Sequence, residues 1–95
     1  NAYNYRLQAE LPETDFDDSV IAALEDLADF VAEGHDGEEI QGQMYEIPRA
    51  HGVEVGDFFA AGYRLFFDQE RGPRLGPFLA ALETDFVTRR LRREG

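Results

Sequence analysis

The sequence runs to 95 residues, of which 43% are hydrophobic, twelve are aromatic and none is cysteine, with a formal net charge of −11. A chain of this size supports a single core, and its apolar and aromatic content argues against intrinsic disorder despite the charge. Without thiols, disulfide staples and thiolate metal sites are excluded, and no run nears the ~20 apolar residues that a bilayer span needs.

The charge is divided unevenly. Residues 1–47 carry thirteen acids against the single base Arg6, whereas residues 48–95 carry eight arginines against seven acids. All nine bases are arginine, whose planar fork suits phosphates and base edges, although base composition of a genome produces the same usage. So negative a whole opposes non-specific nucleic-acid binding, which draws most of its affinity from phosphate neutralisation. Any RNA contact is expected on a local, arginine-bearing face.

Taken in order, Asn1-Ala2 reads as a cloning remnant, and residues 3–14 as an arm or linker from a preceding domain, either a short arm or the tail of a preceding helix. The following unit, 15–95, is expected to be all-α, a small bundle of about five helices, because spacing of three to four covers most of it and no segment alternates at period two. The first helix spans roughly Asp17 to Glu33, with Val20, Ile21, Leu24, Leu27, Ala28 and Val31 on one face and N-cap chemistry in Glu13-Thr14-Asp15. Gly34 suits a left-handed cap. Gly37 to Ala50 forms the second helix, in which Pro48 is expected to kink or stop the α-helix. The third, about Val55 to Asp68, carries Phe58, Phe59, Tyr63, Leu65, Phe66 and Phe67; apolar on more than one face, it is expected to be central. Pro77 to Leu82 makes a short fourth helix and Phe86 to Arg93 a fifth, with Phe86, Val87 and Leu91 inward and Arg89, Arg90, Arg92 and Arg93 in water.

Between the third and fourth helices lies Gly72-Pro73-Arg74-Leu75-Gly76-Pro77-Phe78. Proline fixes φ and glycine opens conformations closed to other residues, so the two Gly-Pro steps are expected to set a rigid corner from which Arg74 projects. Pro77 suits a first helical turn, whose free N–H groups attract phosphate or carboxylate. The blander alternative is a helix connector whose Leu75 and Phe78 plug the core.

Elsewhere the chemistry is thin. His35-Asp36-Gly37-Glu38-Glu39 gathers an imidazole and three carboxylates, but lacks the alternate-position acids of a calcium loop; helix capping explains it better, and no metal is expected. His51 stands near no serine or cysteine, no nucleophile–base pair is found, and no Gly-rich phosphate loop occurs. No catalytic residue is assigned.

One stretch carries a resemblance. Gln69 to Ala80, followed by Phe86-Val87, resembles the C-terminal segment of class I (archaeal-type) lysyl-tRNA synthetases; Glu39-Ile40-Gln41, Tyr45-Glu46-Ile47, His51-Gly52-Val53, Asp57-Phe58-Phe59 and Tyr63-Arg64 occur in that family's order. The resemblance covers about residues 38–92. It implies a helical anticodon-binding domain of a cytoplasmic lysine–tRNA ligase, whose partners are tRNA(Lys) and the parent's catalytic domain, with no DNA or membrane role. ATP and Mg would belong to that catalytic domain, since the HIGH and KMSKS signatures are absent here and no cofactor is expected in this segment. On charge and rigidity, the RNA-binding candidates are Arg71 and Arg74 at the corner, Arg64 one helix earlier, and Tyr63 and Phe78 as stacking platforms. The rival reading is a helical protein-interaction module with a solvated acidic surface.

Overall fold

In the computed structural model, which describes residues 5–95, helix α1 (Asp18–Ala32) follows an extended Asp17 at its N-cap, so its start lies just past the expected Glu13-Thr14-Asp15. Its periodic residues Ala23, Leu24, Leu27, Ala28 and Val31 are buried. Gly34, at φ +86°, turns the chain out of it and donates its N–H to Val31 O. Helix α2 (Gly37–Ala50) opens with a reciprocal capping box: Glu39 N–H donates to the Asp36 carboxylate at 2.8 Å, and Asp36 N–H donates to that of Glu39 at 3.0 Å.

Pro48 does not break α2 early. It sits in the last turn, where one lost N–H is tolerated, and its carbonyl accepts from both His51 N–H and Val53 N–H to close the helix. Helix α3 (Val55–Phe67) ends at Asp68, held left-handed at φ +56°. It packs on all four other helices, as its breadth of apolar surface implied. Phe58, Leu65 and Phe66 are fully buried in it. Each such side chain contributes ~1.5–3 kcal/mol by leaving water.

Helix α4 (Leu75–Ala81) and helix α5 (Thr84–Leu91) complete the bundle, with α4 laid on α2 and α5 on α1. The expectation for α4 was a start at Pro77; the helix begins two residues earlier, with Arg74 as N-cap. No strand occurs among the described residues, so the fold is an all-α bundle of five helices. One core holds it together, and no helix is long and apolar enough to cross a membrane.

Residues 5–17 contain no helix and lie against the bundle. Gln8 N–H donates to Phe66 O at 2.8 Å, while Tyr5, Leu11 and Phe16 pack on the core. The reading of Asn1-Ala2 as a cloning remnant falls outside the described residues.

One expectation for α5 is overturned. Arg90 is not in water: it is completely buried. Its Nη1 donates to Gln8 O at 3.1 Å and Leu65 O at 2.9 Å, Nη2 to Ala9 O at 3.3 Å, and Nε to Gly95 O at 3.1 Å. The guanidinium also lies 4.8 Å from the Phe86 ring centroid. Main-chain oxygens take up four of its five N–H donors in place of water, which is the condition for burying such a group.

Candidate nucleic-acid interface

The Gly-Pro corner is rigid, though for a different reason from the one the residues suggested. Neither Gly72 nor Gly76 adopts positive φ. What the corner needs is the absence of Cβ atoms. One added at Gly76 would lie 2.3 Å from Gly37 O, one at Gly37 would lie 2.8 Å from Pro77 Cα, and one at Gly72 would lie about 3 Å from the Tyr63 and Phe67 rings. The backbones of α2 and α4 therefore touch where glycine meets glycine.

Two side chains lock this arrangement. The Gln41 side-chain oxygen, buried on α2, accepts from Gly76 N–H at 2.7 Å. The Tyr63 hydroxyl donates to Pro73 O at 2.8 Å, and burial pushes its pKa up, which keeps it a donor. The N-terminus of α4 offers fewer free donors than expected for an anion: Gly76 N–H is taken by Gln41, Phe78 N–H makes the first intrahelical bond to Arg74 O, and Pro77 has none to give.

Arg74 stands at the edge of this corner. Its Nη2 donates to Glu38 Oε1 at 3.1 Å and its Nη1 to Glu38 Oε2, a two-pronged pair in the open, with 55% of the arginine and 71% of the glutamate side chain exposed. The hydrogen bond from Arg74 holds the Glu38 carboxyl below the usual range. Arg71, three residues earlier, is exposed and has no ion-pair partner among the described residues.

Beside Arg74 runs a ladder of rings. Tyr45 on α2, 41% exposed, meets Phe59 on α3 edge-on with centroids 5.3 Å apart. Phe59 leads to Tyr63 at 6.3 Å, and Tyr63 to the buried Phe67 at 6.4 Å. The ladder follows the i, i+4, i+8 stripe of α3, so one helix face carries aromatics from solvent into the core. Tyr45 shares its stripe of α2 with Glu38 and with Gly42, where a Cβ would meet nothing within 4 Å. Arg74 lies within electrostatic reach of the Tyr45 side chain.

The five candidates therefore separate. Tyr63 and Arg74 come together at the corner, and Arg71 stays free next to them in the chain. Arg64 serves elsewhere: it pairs with Asp68 at 3.1 Å and donates to Glu13 O at 2.9 Å. It lines a shallow cleft whose other walls include Asp15, Asp17, Asp57 and Glu70. Phe78 is half-buried, 4.9 Å from Phe67 and edge-on to Phe66. Tyr45 and Phe59 join this candidate face although neither was among the residues expected there. Their signal was present, in a Phe59–Tyr63 spacing of four and a tyrosine set beside the apolar marks of α2.

The remaining cluster, around His35, is a turn between helices. Its ring stacks on Phe30 at 3.7 Å and bridges Glu33 and Glu39, whose carboxylates accept at 3.1 and 3.2 Å. These are the α1 C-cap and the capping-box glutamate of α2. Hydrogen bonding to Glu33, foremost, raises the His35 pKa.

No family model matches the chain. It is 58% identical over 97 residues to a lysine–tRNA ligase of Halobacterium salinarum, an alignment taking in the whole of this chain and 18% of that protein. Identity with the lysine–tRNA ligase of Haloarcula marismortui is 53% over 94 residues, and with that of Pyrococcus horikoshii 38% over 87 residues. The chain spans less than a fifth of the length of these relatives. Over its full length, then, this all-α chain is homologous to a segment of the archaeal lysine–tRNA ligases.

Proposed function

We propose that this chain is the C-terminal, anticodon-binding helical domain of a cytoplasmic class I lysine–tRNA ligase. The observation that carries the reading is identity of 53–58% over essentially the whole chain with proteins of that activity. The parent reaction joins lysine to tRNA(Lys) with ATP, and the ATP and Mg belong to a catalytic domain that this segment serves by holding the RNA. No residue here acts on the reacting atoms.

The Tyr45–Phe59–Tyr63 ladder and Arg74 supply the contact surface. An exposed ring accepts a nucleobase face, contributing ~1–3 kcal/mol per stacked base, and a guanidinium takes the adjoining phosphate through two parallel donors. Rigidity matters here, because a base and a phosphate are recognised together only if ring and fork keep their separation. Tyr63, hydrogen-bonded to the corner that carries Arg74, fixes that separation. Arg71 extends the cationic edge, whereas Arg64 and Phe78 are given support roles by their contacts.

In the full ligase, Arg74→Ala is expected to raise KM for tRNA about tenfold with kcat nearly unchanged, as for a group that binds the substrate equally in ground and transition states. An unchanged KM removes Arg74 from the interface. A protein-docking role for the same face predicts instead that the variant binds RNA normally and loses affinity for its protein partner.

A further inference from the structure

The corner has one part that is fixed and one that can exchange partners. Its backbone is held from below by Tyr63 and Gln41, in contacts that a ligand on the outer surface leaves alone. The Arg74–Glu38 pair above them is different. Both side chains are more than half exposed, and Glu38 uses both carboxylate oxygens on the two terminal nitrogens of the guanidinium. Those nitrogens form the same fork that a phosphate would use. An anion approaching Arg74 meets its site already filled by a like charge, which repels it at short range.

Resting on the RNA-binding reading above, we propose that Glu38 is a built-in competitor for Arg74 that lowers the affinity of every anion using that fork. It yields Arg74 to a phosphate at the same cost for each ligand, so a ligand with a second anchor, such as a base stacked on Tyr45, stays bound where one that brings charge alone is lost. Two features make the exchange feasible. An exposed ion pair is weak, so its loss is outweighed once a stacked base anchors the competing phosphate. Glu38 also stands in the first turn of α2, where the helix dipole favours a negative charge whether or not Arg74 remains its partner. Arg74, at the N-cap of α4, is carried by backbone that Tyr63 and Gln41 hold through hydrogen bonds at Pro73 O and Gly76 N–H.

The test compares the 95-residue chain with Glu38→Gln and Glu46→Gln by fluorescence anisotropy, using a lysine tRNA transcript and heparin, a polyanion without bases. Glu46 is an exposed acid of the same helix, paired with Arg49 rather than Arg74, so its variant makes the same charge change away from the fork. Glu38→Gln is expected to raise the affinities for heparin and for tRNA by similar factors of about three- to tenfold, because the competing carboxylate costs each ligand that uses the fork the same, while Glu46→Gln leaves both within about twofold. Matching gains with Glu46→Gln, no gain for either ligand with Glu38→Gln, a gain for heparin alone, or a fall in tRNA affinity each overturn the proposal. Failure of the unaltered chain and of every variant to bind the transcript is a separate result, one that removes the RNA reading together with this inference.

Discussion

The Gly-Pro corner and the end of α5 each place an arginine against the fold, and they use it in opposite ways. Arg90 is enclosed, with four of its donors spent on main-chain oxygens from three separate parts of the chain. Arg74 is exposed and bound to one exposed carboxylate. The first fastens the extended segment at residues 8 and 9 to α3 and α5. The second is available to a ligand. The comparison teaches that an arginine's part is decided by what surrounds it: carbonyls in a dry site make it a structural tie, and a carboxylate in water leaves it free to trade partners.

Replacing the two arginines is the strongest way to test that contrast. Arg90→Met keeps most of the buried volume while leaving carbonyls unpaired, and is expected to cost about 3 kcal/mol, or about 15 °C in Tm. Arg74→Ala should barely move Tm, as suits an exposed pair. Similar melting temperatures for the two variants would erase the distinction. A smaller effect is expected at Gly42, on the candidate face. With open space around its missing Cβ, Gly42→Ala is expected to stabilise the fold by ~0.5–1 kcal/mol in urea titrations. If nucleic acid lies against α2 there, the same variant weakens RNA binding, and stability and affinity part company.

The smallest effects concern pH. Acidification should break the Glu38–Arg74 pair, because the carboxyl has a folded-state pKa below its unfolded one; its contribution is present above the unfolded value and is lost as pH falls through the folded value. The His35 bridge behaves in the opposite sense. With its pKa raised, its contribution is full below the unfolded imidazole value and is lost as pH rises through the folded one. A His35→Gln variant should therefore lose a mild decline in Tm that sets in as pH rises above the ordinary imidazole value, and imidazole chemical shifts in the parent should follow the same transition. A flat titration of those shifts across that range would show that Glu33 and Glu39 do not hold the proton.

Much of the fold was legible because its signals are local. Apolar residues spaced three to four apart marked α1, and the Asp36-Gly37 start and His51-Gly52 stop gave α2 the bounds it has. The excess of apolar positions on α3 pointed to its central place. What stayed hidden depends on distant residues. Helix α4 starts early because Gln41, thirty-five residues back, takes the Gly76 N–H, and nothing near Gly76 announces it. Arg90 was read as solvent-facing from its charge, while its partners at 8, 9, 65 and 95 lie elsewhere in the sequence. Its spacing held a clue, since it falls three residues after Val87 and four after Phe86, on the inward stripe. For the site, charge and rigidity led to Arg74 and Tyr63, but could not tell that Arg64 turns toward Glu13 and Asp68, or that Tyr45 from another helix completes the ladder.

The meeting of Gly37 with the Gly76-Pro77 step also limits how this surface can vary. Because each side chain would strike main chain of the other helix, enlarging one position cannot be compensated by changes at its opposite number, which is already as small as an amino acid can be. A library randomised at 37 and 76 together should return glycine at both, while position 56, with no neighbour within 4 Å of a Cβ, should accept most residues. Diversification of the proposed RNA-binding face is thereby steered onto Tyr45, Arg71 and Arg74, leaving the crossing beneath them unchanged.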